Sequence, residues 1–277
     1  MDIEVLGALV VTEGGISVTP TAPKARQVLA LLAVHADRVV SVSDLIEELW
    51  GENPPRSART TLQTYVLQVR ELIAAALAQA PGDASSRTAK DVLVTTPGGY
   101  MLDTSGGTVD VREFERLAGC GYRTGDAGDF PRAARELRDA LALWTGSALV
   151  DVRTGPRLDM EIRRLEETWL CALDRRIDAD LRLGRHRELL SELTVLVSRY
   201  RTHENLHAHY MVALHRSGRR SEALDAYHRL RARLVGELGL EPSAGLQRLQ
   251  RSILKAGSAP APGTAAADTG ERLTQVG

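Results

Sequence analysis

The sequence predicts a mainly α-helical protein that begins with a small mixed α+β part. Three observations carry this reading. Residues 2 to 19 alternate apolar and polar side chains around Glu13-Gly14-Gly15, the pattern of a half-buried sheet. Residues 22 to 77 hold three blocks of helical spacing, after which "VLVTTPGGYMLD" (92–103) returns to strand character around a Pro-Gly-Gly turn. From 109 to about 255 the chain is almost entirely helical in its periodicity.

The elements follow in order. Ile3, Val5, Ile16 and Val18 are the strand positions of the first sheet. "APKARQVLALLAVHA" (22–36) sets Val28, Leu29 and Leu32 on one side of a helix, with Ala25 and His35, and His35 reads as a helix-end residue rather than a ligand. In "VVSVSDLIEELWG", Ser41 and Asp44 fit a capping box, Leu45, Ile46, Leu49 and Trp50 form an apolar stripe, and Gly51 is placed to end the helix. Pro54 and Pro55 suit the first turn of a third helix, expected over about 55–77. "APGDASSRTAKD" is a polar loop before the hairpin. Sheet, three helices and hairpin is the layout of a winged helix-turn-helix with an extra N-terminal sheet.

The third helix carries the candidate site. At 100° per residue, Leu62, Val66, Val69 and Ile73 cluster as a core stripe with Ala58 and Tyr65 beside them. Arg56, Thr60, Gln63, Thr64, Leu67 and Gln68 fall on the other side. A merely solvated face would favour Glu and Lys. Gln can pair with adenine in a major groove, and a Thr methyl or Leu67 can touch a thymine methyl. Arg56 and Arg59 lie near the N-terminal end, where phosphate contacts are favoured. In the hairpin, Thr95, Thr96 and Tyr100 are candidates for the DNA backbone or minor groove, with a core role the alternative for Tyr100.

Charge alone decides nothing. The net charge is −1, and residues 1–102 hold 8 Lys+Arg against 11 Asp+Glu, a net of −3. DNA binding by this half therefore depends on where charge is placed, not on a basic domain. Only Lys24, Lys90 and Lys255 are lysines, a bias that reads as GC-rich coding. Cys120 and Cys171 are read as free thiols of a reducing cytoplasm. The N-terminus lacks the positive region of a signal peptide and no apolar run reaches membrane-spanning length, so a cytoplasmic, nucleoid-associated protein without membrane contact is expected.

The helical half contains a repeat. Gly184 and Gly218 are 34 residues apart, "GRHRELLSEL" aligns with "GRRSEALDAY", and "GDFPRAAREL" from Gly128 begins the same way. A 34-residue period with a Gly turn before each second helix is tetratricopeptide spacing. The small, polar stretch from 257 is expected to be disordered. His203, His207 and His209 lie close together, but are read as missing the zinc-binding His-Glu-x-x-His arrangement and its third ligand, so no metal or cofactor is expected. No Gly-x-Ser-x-Gly motif and no Cys/His pair points to an enzyme.

"VLGALVV", "KARQVLALLAVHADRVVSVSDLIEELWGENPPRSARTTLQTYVLQVREL" and "VTTPGGYML" resemble the DNA-binding half of the Streptomyces antibiotic regulatory protein family, an OmpR-type winged helix. "VDVREFERL", "ALALWTGSAL" and "YMVALHRSGRRSEALDAYHRLRARLVGELGLEPSAGLQRLQRSIL" resemble its bacterial transcriptional activation domain. The resemblance covers about residues 1–256 and divides the chain into a winged-helix domain (1–105), a tetratricopeptide-like activation domain (106–256) and a tail (257–277). It implies an activator, often specific to a secondary-metabolite gene cluster, that binds direct repeats in double-stranded DNA and recruits RNA polymerase holoenzyme with its sigma subunit. Self-association on DNA is expected with it, and Arg70 joins the DNA-facing residues. One departure is Glu71, where the family carries a further basic residue. The chain has no Gly-rich Lys-Ser/Thr loop such as larger relatives use for nucleotides. The alternative reading is a helical-repeat adaptor whose winged helix binds protein.

Overall fold

The computed structural model describes residues 1–79 and 87–256. The first part of the polar loop (80–86) and the tail from 257 lie outside them. The described residues form two compact units, one up to Gly184 and one from Arg185.

In the first unit, β1 (Asp2–Glu4), β2 (Val10–Glu13) and β3 (Ile16–Ser17) form an antiparallel sheet in that order. Gly14-Gly15 makes the two-residue turn of the β2–β3 hairpin, which pairs Glu13 with Ile16. Helix α1 (Pro23–Val34) starts on a proline and ends at His35, as its sequence suggests. A short strand β4 (Val40–Ser41) leads into α2 (Val42–Trp50). Ser41 caps α2: its Oγ accepts from the Asp44 backbone N–H at 3.0 Å and donates to Asp44 Oδ2 at 2.7 Å.

Two details of this region depart from expectation. The apolar stripe of α2 is rotated, so that Leu45, Glu48 and Leu49 are buried while Ile46 and Trp50 are half-buried. Helix α3 (Ala58–Gln79) starts three residues later than expected, because Arg56 and Ser57 lie in a turn closed by the Ala58 N–H on the Pro55 carbonyl. After α3, the polar stretch contains a four-residue helix, α4 (Ala89–Val92), capped reciprocally by Thr88 and Asp91. The hairpin of β5 (Leu93–Thr96) and β6 (Gly99–Leu102) then adds β4 to give a sheet ordered β4-β6-β5. Gly99 is required there: a Cβ would lie 2.2 Å from the Val40 carbonyl oxygen.

The core does not stop at the hairpin. Helices α5 (Asp110–Asp126), α6 (Phe130–Ala142) and α7 (Pro156–Arg182) complete the first unit. One apolar cluster runs from Met1 through Ile73 and Leu102 to Phe114, Leu137, Leu158 and Ala172. The first compact unit therefore takes in α5 to α7 along with the winged helix and runs to Gly184. The Asp110 carboxylate accepts from the Val5 and Leu6 backbone N–H groups at 2.7 and 2.8 Å, and Ile3 bridges to Val109.

In the second unit, α8 (Leu189–Arg199), α9 (Glu204–Arg216), α10 (Arg220–Arg233), a π-turn (Leu234–Leu238) and α11 (Ala244–Ala256) enclose their own core around Met211, Leu214, Tyr227, Leu230, Leu246 and Ile253. Gly128, Gly184 and Gly218 occupy the turns before α6, α8 and α10 with φ of 83°, 78° and 81°. The repeated glycines thus mark positions that need the left-handed region.

Candidate nucleic-acid interface

Helix α3 buries Ala58, Leu62, Val66, Val69, Ile73 and Ala76 against α1 and α2. This is the core stripe read from the wheel, with Tyr65 half-buried at its edge. The opposite face leaves Arg59, Thr60, Gln63, Thr64, Leu67 and Gln68 exposed, and Arg56 is exposed in the turn before the helix. Leu67 is 56% exposed, an apolar side chain left largely outside the core. The Thr64 hydroxyl donates to the Thr60 carbonyl at 3.2 Å. Its proton is engaged within the helix, so Thr64 offers its methyl group and an oxygen lone pair outward. Glu71 is also exposed. It lies within one turn of Leu67 and Gln68 and gives the far end of the same face a negative charge.

Three of the sequence candidates have positions that change their roles. Arg70 is half-buried, and its guanidinium donates to the Leu93 carbonyl at 3.1 and 2.6 Å and to Thr95 Oγ1 at 2.8 Å. It ties the hairpin to α3, so it fixes the wing rather than standing free for a phosphate. Tyr100 is buried at 8% exposure in the core cluster, because it pairs with Val40 of β4 and turns inward. It supports the hairpin and is not part of an exposed surface. Thr96 is half-buried, with its hydroxyl enclosed and without a hydrogen-bond partner among the described residues. Of the wing candidates only Thr95 is exposed, followed by the turn residues Pro97 and Gly98.

Sequence reasoning missed the residues that hold this interface from behind. Glu48 is 1% exposed. Its Oε1 accepts from Gly155 N–H at 2.6 Å and Gln27 Nε2 at 2.7 Å, and its Oε2 from Arg157 and Leu158 N–H at 3.0 and 2.9 Å. The carboxylate thereby caps α7, where a negative charge is favoured by the helix dipole. Gly155 has no room for a side chain, since a Cβ would stand 2.0 Å from the Glu48 carbonyl oxygen. Around this contact Arg157 pairs with Asp44 at 2.6 Å and Glu47 at 2.8 Å. Arg26 pairs with Asp151, and Arg112 with Asp37 at 2.7 Å. The only sequence signal was a Glu at an inward position of an otherwise apolar helix stripe.

The histidine cluster needs correcting too. His203 to His207 does spell His-Glu-x-x-His, so spacing does not exclude zinc as the sequence reading had it. Geometry assigns the residues elsewhere: His203 Nδ1 caps α9 by accepting from Leu206 N–H at 3.4 Å, and Glu204 accepts from Ser243 N–H at 2.8 Å. Among the described residues no group of three His, Cys, Asp or Glu side chains is arranged to hold a metal ion. Among them also no helix is long and apolar enough to cross a membrane.

Comparison with known proteins agrees with this architecture. Residues 17–102 match the family described as "Transcriptional regulatory protein, C terminal", and residues 109–254 match the "Bacterial transcriptional activator domain". The chain is 54% identical over 256 residues to the regulatory protein DnrI of Streptomyces peucetius, covering 92% of this chain and 93% of that one. It is 34% identical to the transcriptional regulator RedD of Streptomyces coelicolor, covering 92% and 70%. It is also 36% identical to the regulatory protein AfsR of Streptomyces coelicolor, but spans only 26% of that protein. A solved structure of Mycobacterium tuberculosis EmbR in complex with a low-affinity phosphopeptide matches with a TM-score of 0.81 at 32% identity, covering 92% of this chain and 65% of that chain.

Winged helix, activator domain and these relatives together define a transcriptional regulator. More narrowly, the chain belongs to the Streptomyces antibiotic regulatory protein family.

Proposed function

We propose that this chain is a sequence-specific activator of a secondary-metabolite gene cluster. It binds direct repeats in double-stranded DNA near a promoter and recruits RNA polymerase holoenzyme, the sigma subunit included. Helix α3 enters the major groove, with Gln63, Thr64, Leu67 and Gln68 toward base edges and Arg56, Arg59 and Thr60 toward the backbone. Thr95 and the Pro97-Gly98 turn lie along the adjacent backbone. Arg70, Thr96 and Tyr100 set the hairpin's position. The observation that carries the reading is the exposed face of α3, where uncharged Thr and Gln side chains surround a largely exposed Leu67.

A single winged helix with a net charge of −3 gains little nonspecific attraction for DNA. Two copies self-associating on half-sites about one helical turn apart would meet the same face of the duplex and bind more tightly than either alone. The helical part, 106–256, is assigned the contact with polymerase, since stacked helical hairpins commonly bind partners. Gel-shift titration of the full chain on promoters of its neighbouring genes, at two salt concentrations, tests the reading. Binding should weaken steeply with salt, and Arg59→Ala should flatten the slope of log affinity against log salt by about one. The adaptor reading, in which the winged helix binds protein, requires that no promoter fragment be bound above random DNA.

A further inference from the structure

The second unit holds a small notch between α8, α9 and α10 of about 130 Å³, lined by Val197, Ser198, His207, Tyr210, Ala226, Arg229 and Arg233. Its charge is one-sided. No carboxylate lines it, and Arg229 and Arg233 stand one turn apart on α10, so they share a helix face. The other arginines of this helix are engaged. Arg219 pairs with Glu222 at 2.6 Å, Arg231 pairs with Glu241 at 2.6 Å, and Arg220 donates to the Ile253 and Leu254 carbonyls. Arg229 and Arg233 make no ion pair or hydrogen bond among the described residues, and Glu222, bonded to Arg219, acts on Arg229 only through longer-range charge.

At the back of the notch lies His207. It is 3% exposed, and among the described residues neither ring nitrogen has a hydrogen-bond partner of good geometry, although the Arg201 carbonyl lies near the ring. An unpartnered buried imidazole is costly, and such groups in folded proteins call for an explanation. Here the ring sits beside Arg229 and Arg233, with the Arg201 carbonyl near it but outside good hydrogen-bond geometry. A bound anion would supply a well-aligned acceptor for an imidazole N–H and a close countercharge for the two guanidinium groups.

We propose that this notch binds the phosphoryl group of a small phosphorylated molecule, held by Arg229 and Arg233 and by a hydrogen bond from His207. The volume fits one phosphoryl head and leaves the rest of the ligand outside. Paired guanidinium groups favour the doubly charged monoester over a singly charged diester. The site lies wholly within α8 to α10 and is independent of the DNA reading, so an effector could act through the activation half.

The test is calorimetric titration of the full chain with inorganic phosphate and with glycerol 3-phosphate, using dimethyl phosphate as the diester. Both monoanion-to-dianion probes should bind saturably and the diester should not. Arg229→Gln and Arg233→Gln should each weaken binding by about tenfold, the effect of losing one charge-assisted hydrogen bond. Arg231→Gln, on the same helix but paired to Glu241, should leave binding unchanged. Both target side chains lie at the surface or half-buried, so these variants keep the fold, which circular dichroism checks.

A second arm uses sulfate, whose charge is constant between pH 5.5 and 7.5. His207 faces Arg229 and Arg233 from α10, His203 on its own helix, and the uncharged Ser198 from α8. Anion binding should therefore favour protonated His207, sulfate affinity should rise as pH falls, and the rise should vanish in His207→Gln. Absence of saturable binding overturns the proposal, as does equal binding by all the arginine variants or equal binding of the diester.

Discussion

Replacing the buried carboxylate of Glu48 by an amide, Glu48→Gln, removes one oxygen and sets an NH2 group against backbone donors. Four donors converge on this carboxylate: Gln27 Nε2 and the N–H groups of Gly155, Arg157 and Leu158, at 2.6 to 3.0 Å. Only one side of the pair can keep its acceptor, so two donors are left without a partner in a buried contact. Each such donor costs about 1–3 kcal/mol. Loss of negative charge at the start of α7 adds about 1 kcal/mol. The expected destabilisation is roughly 3–7 kcal/mol, and for a unit of this size the melting temperature should fall by roughly 10–20 °C. Urea unfolding followed by tryptophan fluorescence reads it directly, because Trp50, Trp144 and Trp169 all pack on the first unit's core. Glu47→Gln is the control: Glu47 is 44% exposed and paired with Arg157 at the surface, so its loss should cost under about 1 kcal/mol. If Glu48→Gln and Glu47→Gln unfold at the same urea concentration, the carboxylate does not hold α2 to α7 and the reasoning fails.

Three other outcomes follow from the geometry. Arg70→Ala should weaken binding to every DNA sequence alike and speed amide exchange in residues 93–102, because the hairpin loses its tie to α3; unchanged exchange would mean the tie is unimportant. A 1–105 fragment should lack a cooperative melt while 1–184 keeps one, since Phe114, Leu137 and Leu158 share the core of the winged helix; a sharp transition in the shorter fragment would contradict this. Burial among arginines lowers the His207 pKa from 6.5 to about 4. In that window the unfolded chain binds more protons than the folded one, so stability should be full above pH 6.5 and fall by up to about 3 kcal/mol as pH drops toward 4. Calorimetric melts of wild type and His207→Gln across this range check it, and parallel curves would refute it.

Much of this molecule is written in local spacing. The Ser41 cap, the core stripe of α3 and the glycine turns at 128, 184 and 218 depend on residues within one or two helical turns of each other, and all were legible. So was the exposed face of α3, because what is not buried by periodicity is left outside. What could not be read depends on contacts far apart in the chain. Glu48 is inward because the start of α7 meets it, 107 to 110 residues away. Arg70 is occupied because the Leu93 carbonyl lies 23 residues on. Tyr100 turns inward because β4 joins the hairpin as a third strand, and neither neighbour of Val40 in sequence announces that pairing. The continuity of the first core past residue 105 is hidden for the same reason.

The claim that α3 reads bases is tested most directly by selection of randomised duplex DNA with the full chain, compared with its Gln63→Ala and Thr64→Ala variants. The wild type should enrich a directly repeated sequence. Each variant should relax preference at one or two positions in every repeat, at a cost of about 1–3 kcal/mol for the preferred base, while affinity for random DNA stays the same. An identical consensus from all three proteins, or no enrichment by any, would contradict base reading by this helix.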